Sequence, residues 1–331
     1  GWREILEILY SPEEAALAAR FPLKPTPLAE LARRLRKREA ELRPRLEAMC
    51  DKGIVMDIVS RSTGEVKYFL APPVVGFFEF SMMRAGGPIP RDRMAAALDA
   101  YTRGDATFAR EAFGGKTALG RALVHESALN ESVTSDVLGW ERATEIVSEA
   151  RACAVSTCYC RHKAQHVGRA CDTPQETCLS LGAGAEFVVR RGFGRVAEKP
   201  EALDILAAAR ERGLVQIGDN VVNRPTFICN CCGCCCEFLA GIHTYKLSAV
   251  NPSGFVASLD VDRCAGCGRC ARACPIAAIT TVPRRIAGQR KTGLVANVDA
   301  VLCIGCGVCV DACKKDSMRM TRRATRPDVP K

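Results

Sequence analysis

Histidine and aromatic residues are scarce in this chain of 331 residues, at four histidines and 6% aromatics. No run of ~18 consecutive apolar residues occurs, so no membrane-spanning helix is expected. Gly1–Tyr10 lacks the basic leader, apolar stretch and small-residue cleavage site of a secretory signal. The protein is therefore expected in the cytoplasm, although the chain begins at Gly1 and not at Met. Also missing are a P-loop, a dinucleotide fingerprint and a G-x-S-x-G elbow, and Gly192-Phe-Gly194 is too short for a phosphate loop. Nucleotide, nicotinamide and flavin sites thus have no support. Cysteine is nearly absent from the first 150 residues, where only Cys50 occurs.

What is present sits downstream. Of 20 cysteines, 19 fall between Cys153 and Cys313. A disulfide scaffold suits small secreted chains. A chain with 48% hydrophobic residues can bury an adequate core without staples, so metal binding is the better reading. The length allows two or three domains at ~100–150 residues each. The formal charge is +10, and Lys314–Lys331 contributes seven basic against two acidic residues. The surplus reads first as compensation for anionic metal centres, then as a face for an acidic protein partner, and last as a nucleic-acid surface.

Ser11-Pro12-Glu13-Glu14 and Thr26-Pro27-Leu28-Ala29-Glu30 each offer an N-cap, a proline at the first helical position and acids in the first turn. A third helix is expected over Ala40–Lys52 with Gly53 as its stop, and Ile54–Val59 and Val66–Leu70 read as strands around a turn at Arg61–Gly64. Three helices and a hairpin suggest a winged-helix-like module over 1–87. Residues 88–150 read as a helical connector without a motif. Over 151–257, a helix at Glu201–Arg212 and strands at Leu214–Ile217 and Thr226–Cys229 give a cysteine-rich helix-plus-hairpin region. The fold class expected is α+β, with the N-terminal module, a helical middle, a ferredoxin-like two-cluster domain over 258–320 and a basic tail over 321–331.

One internal repeat has an offset of 39 residues. It aligns Asp260, Cys264, Gly266, Cys267, Gly268, Cys270 and Cys274 with Asp299, Cys303, Gly305, Cys306, Gly307, Cys309 and Cys313. Three thiols two residues apart on a glycine-containing loop can wrap one cubane. The fourth, entering the following helix, points to the other. This assigns Cys264, Cys267, Cys270 and Cys313 to one [4Fe-4S] cluster, and Cys303, Cys306, Cys309 and Cys274 to a second. Structural zinc is the weaker reading, because four-cysteine zinc sites pair two C-x2-C knuckles. Over Ser258–Met320 the chain resembles the bacterial two-cluster ferredoxins. It departs from them at Lys314, which replaces the proline found at Pro275, and in the insertion Thr280–Asn297. The resemblance implies low-potential one-electron transfer, oxygen sensitivity and a reducing compartment.

Eleven further cysteines lie in two blocks: Cys153, Cys158, Cys160, Cys171 and Cys178, then Cys229, Cys231, Cys232, Cys234, Cys235 and Cys236. The blocks bracket the expected helix and hairpin and could meet as a third centre, iron–sulfur or zinc. Cys158, Cys160, Cys171, Cys178, Cys231, Cys232, Cys234 and Cys235 are the candidate ligands, with buried or redox-active thiols as the alternative. Adjacent cysteines in a strand face opposite ways, so the second block needs a tight turn at Gly233 to bring its thiols together. The CYCRH and NCCGCCC segments combined with the ferredoxin end resemble a group of iron–sulfur proteins of anaerobic bacteria, a resemblance that supplies no reaction. His125, His162, His166 and His243 read as hydrogen-bonded residues, with His162 a candidate ligand through its closeness to Cys160.

The first functional reading is an iron–sulfur electron-transfer protein or oxidoreductase subunit serving a redox partner protein or complex. The others are a redox-responsive DNA-binding regulator and a catalytic oxidoreductase using Cys229–Cys236. DNA is the weaker partner, because Arg43, Arg45 and Lys52 on the would-be recognition helix are offset by Glu41, Glu47 and Asp51, and the run Arg33-Arg34-x-Arg36-Lys37-Arg38 reads as a solvated face.

Overall fold

The structure is a computed structural model that describes residues 1–84, 86, 87, 89–130, 137–283 and 293–330. It is mixed helix and sheet, of the α+β class. Residues 284–292, half of the expected Thr280–Asn297 insertion, lie outside the described residues.

The N-terminal region opens with helices α1 (Trp2–Leu9), α2 (Pro12–Ala18), α3 (Leu28–Leu35) and α4 (Glu39–Lys52). A capping box starts α2: Ser11 Oγ accepts from Glu14 N (3.2 Å), and Glu14 Oε2 accepts from Ser11 N (2.8 Å). At the end of α4, Gly53 takes φ 78°, a left-handed cap that suits glycine. The second expected N-cap is different. Thr26–Pro27 forms a short strand, β1, and α3 begins one residue later, because Thr26 pairs with Tyr68 in a sheet of order β1-β3-β2. The other two strands are β2 (Val55–Val59) and β3 (Val66–Leu70), paired antiparallel.

A seven-stranded sheet of order β10-β4-β8-β9-β6-β5-β7 forms the centre of the molecule. Its strands are β4 (Gly120–Leu123), β5 (Cys153–Thr157), β6 (Glu176–Leu181), β7 (Arg195–Val196), β8 (Val215–Asp219), β9 (Phe227–Cys231) and β10 (Val250–Asn251). The reading of 88–150 as a helical connector is thereby corrected. Helices Arg91–Arg103 and Thr107–Phe113 are there, but Gly120–Leu123 is an interior strand. The helix-plus-hairpin reading of 151–257 is correct locally, with helix Lys199–Glu211 followed by antiparallel β8 and β9, yet those two strands are only part of the larger sheet.

Strand alternation divides the side chains between the two faces of this sheet. Cys153, Val155, Leu179, Leu181 and Ile228 enter one core beneath the helices Ala143–Glu149 and Lys199–Glu211. On the opposite face, Ala154, Val215, Ile217 and Cys231 join a larger core that takes in α1, α3, α4 and the helix Gly182–Arg190. The N-terminal region is tied to that face by Arg190 and Arg191, which pair with the buried Asp57 of β2 at 2.8 and 3.0 Å.

The C-terminal region has two antiparallel pairs, β11 (Phe255–Leu259) with β14 (Met318–Arg322) and β12 (Ile279–Pro283) with β13 (Leu294–Val298). The short helices Arg269–Ala273 and Val308–Asp311 pack on each other. Each starts from a glycine with positive φ, Gly268 at 68° and Gly307 at 91°. The expected basic tail over 321–331 is also corrected. Arg322 ends β14, and Arg323 donates to the carbonyls of Ser253 and Cys303. Arg326 pairs with Glu141 (3.6 Å), and the Pro330 carbonyl accepts from Val222 N (2.7 Å), so the segment straps the C-terminal region to the central sheet. Among the described residues, no helix is long and apolar enough to cross a membrane.

Candidate metal centres

Cys264, Cys267, Cys270 and Cys313 line one cavity of about 310 Å³, together with Arg269, Lys314, Lys315 and Ser317. A narrower cavity is lined by Cys274, Cys303, Cys306 and Cys309 with Ile276, Ile304 and Val308. The fourth cysteine of each repeat therefore sits with the first three of the other. The short helices cross, so the residue at the end of each is delivered to its neighbour's loop.

The two cavities differ in setting. The first has Cys267 exposed and a rim of basic side chains. Burial alone would raise the Cys313 thiol, but the Ser317 hydroxyl and the backbone N–H groups of Lys315, Met318 and Ser317 hold it below its usual range. The second faces inward. Ile276, Ile304 and Val308 belong to the large core of the central sheet, and burial pushes the Cys306 thiol up to about 12. The backbone here is held from outside the repeat, since His125 N donates to the Cys306 carbonyl (2.9 Å). The His125 ring bonds Asp311 through Nδ1 (2.7 Å) and the Leu214 carbonyl through Nε2 (2.9 Å). Ala278 N donates to Cys274 Sγ (3.2 Å), the kind of amide contact that favours a thiolate ligand. The donor sets fit [4Fe-4S] clusters: four thiols per cavity, glycine loops and backbone amides turned toward sulfur.

The eight candidates for a third centre do not form one set. Cys171, Cys232, Cys234 and Cys235 converge, with all four Sγ atoms within 4.8 Å of one another. The Cys171–Cys232 and Cys234–Cys235 separations are both 3.7 Å. A tetrahedral zinc with Zn–S near 2.3 Å places its sulfurs roughly 3.8 Å apart, so this group has the size of a mononuclear four-thiolate site. Four thiols this close cannot all ionise without a cation among them. Hydrogen bonding from Cys235, followed by the nearby Arg161 charge, pulls Cys232 down to about 4, while Cys235 is pushed up.

The other four candidates, Cys158, Cys160, Cys178 and Cys231, lie elsewhere, on the wall of a cavity of about 400 Å³ beneath the central sheet. Cys229 and Cys236, outside the expected ligand set, stand with them. Alternation is the reason for the split. In β9, Cys229 and Cys231 share the cavity face, and Cys232, at the start of the bend at 233–235, lines the same cavity while its thiol joins Cys171, Cys234 and Cys235. The expected tight turn at Gly233 does occur, but it separates two groups of thiols where one had been expected. His243 Nε2 donates to the Gly233 carbonyl (3.0 Å), fixing that turn. His162 is not a ligand here: Nδ1 bonds the Met82 carbonyl (2.6 Å), and Nε2 meets His166 (3.1 Å). Cys50 and Cys153 are buried singly, away from both groups.

Residues 263–324 match the 4Fe-4S dicluster domain family. The match indicates [4Fe-4S] cluster binding in the C-terminal region and covers the eight cysteines of the repeat. No curated protein and no solved structure matches the chain.

Proposed function

We propose that the protein is an electron-transfer protein or oxidoreductase subunit that passes low-potential electrons through two [4Fe-4S] clusters to or from a partner redox protein. The observation that carries this reading is the exchange of the fourth cysteines, Cys313 and Cys274, between the two cavities. When bound, such clusters supply one-electron transfer without a substrate reaction. Cys264, Cys267, Cys270 and Cys313 would hold the outer cluster, and Cys303, Cys306, Cys309 and Cys274 the inner one. The outer cavity, with Arg269, Lys314 and Lys315 on its rim, suits docking of an acidic partner. Cys171, Cys232, Cys234 and Cys235 would hold a third centre, a structural zinc, which closes the Gly233 turn and carries no electrons.

The N-terminal region is a winged-helix-like module in this reading, supported by helices α1–α4 and a small β1-β3-β2 sheet whose first strand lies between α2 and α3. Its role is docking and not DNA recognition. On α4, Arg191 engages Glu47 (2.7 Å) and Asp51 (3.1 Å), and Lys52 is paired with Glu14 (2.7 Å), so that helix is occupied by its own chain.

Iron, zinc and acid-labile sulfide per chain, measured on anaerobically purified protein, test the reading together with dithionite reduction. At least eight irons and a reduced [4Fe-4S] spectrum are expected, with roughly four irons lost in Cys267→Ala. Retention of all iron in that variant would overturn the ligand assignment.

A further inference from the structure

Seven thiols line the large cavity; Cys232 belongs to the compact group, and the other six are not used by the reading above. We infer that Cys158, Cys160, Cys178, Cys229, Cys231 and Cys236 form a separate site for a polynuclear iron–sulfur cluster, buried beneath the central sheet and balanced by the Arg161 guanidinium.

Four structural elements deliver these thiols. β6 supplies Cys178, and β9 supplies Cys229 and Cys231 on the same face. Cys158 is the N-cap of the helix Tyr159–His166, Cys160 lies in its first turn, and Cys236 precedes the helix Glu237–His243. The thiols neighbour one another in a chain: Cys158 with Cys160, Cys160 with Cys236, Cys236 with Cys231, Cys231 with Cys229, and Cys229 with Cys178. They do not close up as the compact group does. Among the described residues, no set of three or more potential ligand atoms other than Cys171, Cys232, Cys234 and Cys235 lies within 4.8 Å of one another. A single zinc ion draws its sulfurs together, whereas a cluster interposes iron and sulfide and needs its thiols spread around a volume. The cavity of about 400 Å³ offers that volume.

The charge of the wall gives independent support. Arg161 is fully buried, and its guanidinium donates to the Pro174 and Asn230 carbonyls and the Thr177 hydroxyl, all neutral acceptors. Its Nε has no partner, and among the described residues no carboxylate pairs with it. A buried cation without an anion is strongly disfavoured, and the groups around it that can become anionic are thiols: Cys158 and Cys231 of this site and Cys232 of the compact group, so Arg161 stands between the two. Tyr159 is buried and lines the cavity, and its hydroxyl has no hydrogen-bond partner. It is a donor available to a sulfide or thiolate. Lys163 and Arg103, by contrast, are matched by Glu237, which neutralises the far side.

The site also borders the C-terminal domain. A methyl group at Gly233 would come within 2.6 Å of the Pro275 carbonyl oxygen, so the bend between Cys231 and Cys236 rests on the residue after Cys274.

This inference stands apart from the electron-transfer reading, and the test separates them. The full chain is reconstituted anaerobically with ferrous iron and sulfide, and iron, sulfide and 57Fe Mössbauer spectra are compared with those of a variant carrying Cys264→Ala, Cys267→Ala, Cys303→Ala and Cys306→Ala. The wild type should hold twelve or more irons, counting about four per cubane, and the variant should retain about four or more with matching sulfide and a cluster spectrum. Cys178→Ser with Cys229→Ser in the wild-type background should lose that iron alone. A wild type with about eight irons, or a quadruple variant without a cluster spectrum, overturns the proposal, as do intramolecular disulfides among the six thiols by mass spectrometry. Equal iron in the wild type and the quadruple variant would instead overturn the ligand assignment of the C-terminal domain.

Discussion

The C-terminal domain and the central sheet region each gather many cysteines, but by different routes. In the domain, cysteines come at intervals of three along two loops, and the fourth of each repeat sits with the first three of the other. In the central region they come from two strands, a bend, two helix starts and a loop, and neighbours in sequence part company. Cys231 faces the cavity while Cys232 joins Cys171, 61 residues away. Local loops make a centre that can be read from spacing. Convergent elements make one that depends on every packing contact around it.

The largest effect should come from the compact group. Cys232→Ala leaves three thiols where tetrahedral coordination needs four, and structural zinc sites contribute ~10–16 kcal/mol of binding free energy in small peptides. Zinc should fall from one per chain to none, with an unfolding midpoint in urea below that of any single substitution in the repeat. Unchanged zinc and an unchanged midpoint would break the comparison.

Next comes the asymmetry between the two cavities. Cys267→Ala and Cys306→Ala should each remove about four irons. Only the second should also destabilise the central sheet, by about 2 kcal/mol, because the Cys306 side chain packs against the large core. Matched thermal melts decide it, and equal losses would mean that the inner cavity is no more integrated than the outer.

A smaller effect sharpens the link between the regions. Gly233→Ala would drive a methyl group into the Pro275 carbonyl, at a cost of about 1–3 kcal/mol, read from denaturant unfolding. No change would mean that the bend and the C-terminal domain are free to separate.

The smallest effect is a dependence on pH. Glu79 lines the large cavity, and burial pushes its carboxyl up from 4.5 to about 8, partly opposed by the Gly76 N–H. An acid whose folded pKa is raised keeps its proton in the folded state while the unfolded chain has lost it. Stability should therefore decline as pH rises from about 4.5 to about 8. Glu79→Gln should flatten that decline in urea melts at fixed pH, and a variant with the wild-type slope would remove Glu79 as its cause.

The eight cysteines of the repeat were legible because their spacing fits one loop geometry. The capping box at Ser11 and Glu14 and the stop at Gly53 were legible because they act within one turn. Gly120–Leu123 was not. It has four residues and all are buried, so it shows no alternation, and it carries Arg121, whose charge stacks on Trp140 at 4.8 Å inside the fold. Thr26 looked like a helix cap until its pairing with Tyr68, 42 residues away, claimed its backbone. The last residues looked like a free basic tail because their partners, Ser253, Cys303, Glu141 and Val222, are distant in sequence.

By itself the sequence determined the iron–sulfur character of the C-terminal end, since ligation there depends on intervals along the backbone that folding preserves. It also determined that the remaining cysteines were too many for chance. How those cysteines divide was decided only by the tertiary structure. Strand alternation sends Cys229 and Cys231 to one face, the bend at Gly233 takes Cys234 and Cys235 to Cys232, which borders both groups, and the packing of the sheet brings Cys171 to the compact group and Cys158, Cys160, Cys178 and Cys236 to the cavity. Spacing fixes what one loop can hold, but which thiols meet across a sheet depends on the faces on which the fold places them.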